Sequence, residues 1–246
     1  MRSWRKYYMV KCPDCGEDYQ RLGQHWHHSP SHRPELTEKQ LEVTTGFLMG
    51  DASVLSDRKH CYLRSNMTTP NYLQYVDDVF GCLGTGVKFH KTGSEIAEMN
   101  RKSGFSPNAD EENYSDVYFW QTRLHPKFSD FREWYSSGEK IWPEDIELTP
   151  TVLKHWYVGD GDYHTSGNHD SIRISMVNEI ENTEKVSQYF TNAGLPEPSN
   201  YDITNRKNRE NKSCTAEWGI EESYQLWEYM GEPLPDFEYK WPEEYR

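Results

Sequence analysis

An α/β fold built from two copies of one unit is what this sequence predicts, on three observations. Two apolar stretches, Gly46-Phe47-Leu48-Met49-Gly50-Asp51-Ala52-Ser53 and Trp156-Tyr157-Val158-Gly159-Asp160-Gly161-Asp162, each run into Gly-Asp-small. The residues after them stay in register. Leu63 stands twelve residues after Asp51 and Ile172 twelve after Asp160, so Arg64 matches Arg173 and Met67 matches Met176. Helical periodicity and strand-like alternation then succeed each other in both halves, which points to an α/β mixture rather than either pure class.

In chain order, residues 1–34 read as a cysteine–histidine module. Cys12-Pro13-Asp14-Cys15 is a Cys-x2-Cys knuckle, and His25, His27, His28 and His32 follow within twenty residues. Taken with His28 and His32, the spacing is that of a two-Cys, two-His zinc site. Cys12, Cys15, His25 and His32 form a second admissible set, which leaves Leu22 and Trp26 for a tiny core. Zn2+ is expected on four of these five side chains, with the third ligand open between His25 and His28. The alternative is a histidine-rich tract without metal. Such a module folds on its metal rather than on burial, and it could extend a nucleic-acid contact, bind protein or cap the main body.

The first repeat is expected over residues 35–147 and the second over 148–246. Leu36-Thr37 and Leu148-Thr149 open their first helices: Thr37 with Gln40 has capping-box spacing, and Pro150 stands at the first helical position. Each helix ends on its aspartate. A carboxylate there faces the negative end of the helix dipole, a cost of about 0.3–1 kcal/mol, and bringing two such ends together adds like-charge repulsion. Gly50 and Gly159 would let the two backbones approach, and hard divalent cations such as Mg2+ would resolve the repulsion. Singly, each Gly-Asp is an ordinary turn after a helix; the duplication argues for a shared site.

Strands follow. Ser171–Met176 alternates, with Ile172, Ile174 and Met176 on one face and Ser171, Arg173 and Ser175 on the other. The matching segment puts Leu63, Ser65 and Met67 inward and Tyr62, Arg64 and Asn66 outward, while Gln121 and Arg123 share a face opposite Trp120 and Thr122. Helices are expected over Tyr72–Leu83 and Thr183–Leu195, and Trp120 and Trp218 fall in corresponding strand-like runs. A hairpin is expected between Tyr201–Thr204 and Ser213–Gly219, its tip carrying Arg206, Lys207 and Arg209. The halves close on Lys140-Ile141-Trp142-Pro143 and Lys240-Trp241-Pro242.

These features resemble the LAGLIDADG homing endonucleases, specifically monomers with two motif copies. The resemblance rests on the two motif helices, the run Phe119-Trp120-Gln121-Thr122-Arg123-Leu124-His125-Pro126 and the closing Tyr239-Lys240. It covers roughly Leu36 to the last residue. It implies an α/β (α+β) fold of two pseudo-symmetric helix–strand–strand–helix repeats, whose motif helices pack together beneath saddle-shaped antiparallel sheets that hold duplex DNA. It also implies that Asp51 and Asp160 bind Mg2+ and cut both strands. One departure is visible: Gly46 stands one turn before Gly50, whereas His155 holds that place in the second helix.

The expected function is therefore a site-specific double-strand DNA endonuclease. Lys140 and Lys240 would stabilise phosphate charge or help activate water; the plain alternative is a solvated lysine at a helix end. Arg64, Asn66, Gln121, Arg123, Arg173 and Ser175 would read base edges, with Arg206, Lys207 and Arg209 on the phosphates. A non-cutting relative, an RNA maturase or DNA-binding regulator, is the main alternative, and a protein-interaction module is the second. The net charge of −13 opposes nucleic-acid binding. The acidic composition, with mean hydropathy −0.99, resembles proteins of high-salt cytoplasm, where a Debye length of about 3 Å at 1 M salt blunts diffuse repulsion. No long apolar segment predicts a membrane span. A cytoplasmic, nucleoid-associated enzyme encoded in an intron or a virus is expected, rather than an intein.

Overall fold

The computed structural model describes residues 9–57, 60–135, 140–166, 169–176, 180–205 and 212–246. A small hairpin, β1 (Val10–Lys11) and β2 (Asp18–Tyr19), leads into α1 (Leu22–His28). The first large unit runs α2 (Glu38–Met49), β3 (Ala52–Asp57), β4 (His60–Met67), α3 (Pro70–Phe80), β5 (Lys88–Lys91), α4 (Gly93–Ser103) and β6 (Val117–Gln121). The second runs α5 (Pro150–Asp160), β7 (Gly161–Ser166), β8 (His169–Ser175), α6 (Thr183–Asn192), β9 (Asn200–Asn205), β10 (Lys212–Glu217) and α7 (Ile220–Met230).

The two units fold alike because their patterns are alike. Both sheets are antiparallel and four-stranded, ordered β3-β4-β6-β5 and β7-β8-β10-β9. Ala52 lies opposite Ser65 and Gly161 opposite Ile174, so the sequence register of the repeat is the register of the hairpins. Each unit is helix–strand–strand–helix followed by two more strands, with α4 inserted between the last pair of the first unit. Thr37 and Gln40 form the capping box of α2, and the Thr149 hydroxyl accepts from the Val152 N–H at the start of α5.

Alternation places the faces as expected. Leu63, Ser65 and Met67, and likewise Ile172, Ile174 and Met176, are buried against the helices. The two tryptophan-bearing runs correspond as expected, β6 to β10, with the tryptophans offset from each other. Trp120 lies opposite Ser65, while Ala216 lies opposite the matching Ile174. Trp120 therefore corresponds to Ala216, and Trp218 sits two residues further on. A slip of two keeps a side chain on the same face, so both indoles still point inward, 0% and 3% exposed. The expected helix Tyr72–Leu83 also divides: α3 stops at Phe80 and a 3-10 turn covers Gly81–Leu83.

Helices α2 and α5 pack against each other, and their buried aromatic side chains reach into the core, Phe47 against Tyr72 and Trp120, Trp156 against Trp142 and Phe190. Gly46 is required at this contact, because a methyl group there would overlap the Val152 carbonyl oxygen and lie 2.8 Å from His155 Cβ. Among the described residues, no helix is long and apolar enough to cross a membrane.

Candidate active site

The two motif helices meet at their C-terminal ends. A methyl group built on Gly50 would stand 3.2 Å from Gly159 Cα, and one on Gly159 would stand 3.0 Å from Gly50 Cα. The backbones thus touch at the residues immediately before Asp51 and Asp160, which brings the two carboxyl-bearing positions together from opposite halves. Burial at this junction pushes Asp51 above the ordinary carboxylate range, opposed first by Lys240 and then by Lys140. Asp51 nevertheless keeps an exposed edge, so its carboxyl is crowded by the helix ends and still open to solvent.

The two lysines occupy equivalent places. Lys140 Nζ donates to the Met49 carbonyl at 2.8 Å and the Gly50 carbonyl at 3.4 Å. Lys240 Nζ donates to the carbonyls of Val158 at 2.8 Å and Gly161 at 2.7 Å. Met49 and Val158 are repeat partners, so each ammonium caps the C-terminus of its own motif helix, where the dipole favours a cation. Neither is the solvated lysine of the plain alternative: Lys240 is 7% exposed and Lys140 half-buried. Burial lowers the Lys240 pKa, against the pull of Asp51, Asp160 and Asp162 in that order. One ammonium therefore senses both motif acids.

Residues that the sequence reading missed hold these lysines. Asn182 Oδ1 accepts from the Trp142 N–H at 3.2 Å and its Nδ2 donates to the Lys140 carbonyl at 3.0 Å, and Tyr157 donates to the Lys240 carbonyl at 2.7 Å. Asn182 belongs to the second half and grips the tail of the first, a contact with no local sequence signal. Beside Asp51, a cleft of about 320 Å³ is lined by Asn66, Thr68, Thr69, Tyr239 and Lys240 among others.

Among the described residues, the outward sheet faces differ in charge. On the first, Asn66, Phe119 and Lys88 lie in register across three strands. The Arg64 guanidinium lies 5.4 Å and the Lys88 ammonium 5.3 Å from the Phe119 ring centre, with His90 edge-on to the same ring. Gln121 sits opposite Arg64. Arg123 is corrected: β6 ends before it, and its guanidinium donates to the Gly84 carbonyl, anchoring a loop. On the second face, Arg173 is paired with Glu217 at 3.0 Å and lies in register with Asp162, while Ser175 faces Thr215 and, beyond it, Asp202. Arg206, Lys207 and Arg209 lie outside the described residues.

In the N-terminal module, ligand atoms of Cys12, Cys15, His25 and His32 all lie within 4.8 Å of one another. Of the two histidines left open by spacing, His25 is the one that stands in this group. His28 is outside the group, exposed and edge-on to His27, 5.3 Å between ring centres.

Comparisons with known proteins agree with this architecture. The family model described as LAGLIDADG DNA endonuclease family matches residues 41–196. An uncharacterized protein of Methanocaldococcus jannaschii, MJ1098, is 28% identical over 141 residues, 57% of this chain and 50% of that protein. The chain thus spans about half the length of the curated relative it matches. The solved homing endonuclease I-WcaI, bound to its DNA recognition sequence, superposes with a TM-score of 0.65 at 17% identity, covering 87% of this chain and 90% of that one. I-DmoI in complex with DNA and Mn gives a TM-score of 0.44 at 13% identity, over 78% of this chain and 96% of that one.

Proposed function

This chain belongs to the LAGLIDADG DNA endonuclease family, and from that premise we propose that it is a monomeric, site-specific double-strand DNA endonuclease. One observation carries the reading: two pseudo-equivalent helix ends touch backbone to backbone immediately before Asp51 and Asp160. The donor set fits a hard divalent cation, since it offers carboxylates, one of them made costly as an anion by burial. Asp51 and Asp160 would hold Mg2+, which when bound polarises a phosphate oxygen and makes a bound water more acidic.

The chain's own residues supply the rest. Lys140 and Lys240 fix the helix-end carbonyls, keep the two acids in place and add positive charge where phosphate would approach. Arg64, Asn66 and Gln121 on one sheet, and Arg173 and Ser175 on the other, would face the duplex grooves as base-edge donors and acceptors. Lys88, with Arg64, would add phosphate contacts. The four N-terminal ligands, Cys12, Cys15, His25 and His32, would hold structural Zn2+.

The test is to incubate the protein with a randomised plasmid library and Mg2+, from low salt to about 1 M, and to sequence the ends. Defined ends are expected, with Asp51→Asn or Asp160→Asn abolishing double-strand cutting while DNA binding persists. Unchanged cutting by either variant refutes the assignment. Binding without cutting by the unaltered protein would favour a non-cutting member.

A further inference from the structure

The metal cluster is built like an interior feature rather than a free finger. Cys12 and Trp26 are fully buried and Leu22 is 1% exposed. A seven-residue helix beside a hairpin of two-residue strands is too small to enclose an indole by itself. These three side chains instead belong to the apolar core that also holds Cys61, Leu63, Leu83 and Phe128 of the first unit.

The ligands are also individually oriented. His32 Nδ1 and His25 Nε2 are 3.1 Å apart, and Cys15 Sγ is 3.7 Å from His25 Nε2. The other nitrogen of His32 lies 3.4 Å from the Asp14 carboxylate, the outer partner that fixes which ring nitrogen of a metal-bound histidine faces the metal. Tyr19 stacks on His25 with ring centres 3.9 Å apart. Beyond His32 the chain is pinned to the body: His125 Nε2 lies 3.1 Å from the Pro34 carbonyl oxygen, and the His125 N–H donates to Cys61 on β4 at 2.9 Å. Cys82, in the turn after α3, lies within electrostatic reach of Cys12.

We propose that Zn2+ at Cys12, Cys15, His25 and His32 is a clamp that locks the N-terminal segment over one edge of the first repeat, making the metal a folding cofactor of the endonuclease body. This rests on the zinc reading given above and is independent of whether the protein cuts DNA. A finger that only extended along a duplex would be covered by its own residues and would leave the body unchanged when emptied. A clamp whose ligand Cys12 is part of the common core would not.

The experiment uses the full chain without DNA. Elemental analysis of the purified protein is expected to give about one zinc per chain. Exchange for Co2+ is expected to give the visible bands of a tetrahedral site with two thiolates and two imidazoles. Hydrogen exchange is then compared with and without a chelator. Loss of metal is expected to speed exchange within residues 9–34 and also in 60–67, 81–84 and 122–125. Cys15→Ser, at an exposed ligand, should reproduce that pattern and lose the cobalt spectrum, whereas His28→Ala should keep both. Absence of bound zinc, or exchange changes that stop near residue 34, would overturn the proposal.

Discussion

Acidification should loosen the helix pair that carries both aspartates, and His155 is the reason. It occupies the place where α2 has Gly46, is 1% exposed, and meets the Tyr72 hydroxyl through Nδ1 at 2.7 Å. Its Nε2 is buried with no hydrogen-bond partner among the described residues. The Tyr72 and Tyr75 rings pack on the imidazole, and the charged groups that reach it, Lys39 and Lys154, are both cations. Burial first, and those lysines after it, lower its pKa from 6.5 to about 3. A depressed histidine stays neutral in the folded chain while the unfolded chain takes up a proton below about pH 6.5. The stability is complete above that pH and is lost as pH falls towards 3. Between pH 6.5 and 5 the loss from this one group is about 2 kcal/mol, at about 1.4 kcal/mol per pH unit. Denaturant unfolding at pH 7 and pH 5, followed by tryptophan fluorescence, measures it. His155→Gln keeps a polar group beside Tyr72 and removes the titration, so its loss over that interval should be smaller by about 2 kcal/mol. Parallel pH profiles for the two proteins would refute the reasoning.

Further perturbations probe the contacts that join the halves and the sheet faces proposed to meet the duplex. Gly46→Ala drives a methyl group into the Val152 carbonyl, and should cost about 1–3 kcal/mol in denaturant unfolding and reduce cutting more than DNA binding; unchanged stability would contradict the packing described. Asp236, held at φ 68°, accepts from the Asn71 N–H at 2.8 Å and so caps α3 from the other half of the chain. Asp236→Ala should cost about 1–2 kcal/mol in the same assay, with Asp236→Asn falling between it and the unaltered protein. Lys88→Ala should lower the salt dependence of non-specific duplex binding by about one phosphate contact, whereas Glu217→Gln, by releasing Arg173, should tighten binding; titrations by fluorescence anisotropy at several salt concentrations distinguish these from no effect.

The sequence carried what is local or duplicated. Thr37 and Gln40 announce a helix start by spacing alone, and period-two alternation separates Leu63 from Arg64 without any knowledge of partners. The matched hairpins follow because both halves repeat the same pattern at the same offset. Where the sequence left a position open, a physical degeneracy explains it. Trp120 and Trp218 lie in corresponding runs but two residues out of step, an offset that period two cannot sense. His25 and His28 were interchangeable because both spacings suit zinc; the 3-10 turn Pro30–His32 brings His32 to within 3.1 Å of His25 rather than His28, a juxtaposition that spacing alone does not specify.

Contacts between the halves were invisible for a different reason: they have no period. Asn182 on Lys140, Asp236 on Asn71 and the influence of Lys240 on Asp51 each join residues far apart in the chain. A duplicated gene starts with such contacts equal in both directions, yet here they are unequal. Gly46 faces His155, Ser53 matches Asp162, and the Phe119 face is cationic where the Arg173 face is neutralised by Glu217. Since the backbone registers still agree, the divergence lies in side chains that a duplex or a partner helix would touch. Two half-sites of one DNA target that differed in sequence would select for that pattern, because identical faces would read identical half-sites. On the proposed endonuclease reading, the inequality between the halves would be the part of the molecule that reads an asymmetric target, while their shared register is the part that brings the Asp51 and Asp160 positions together.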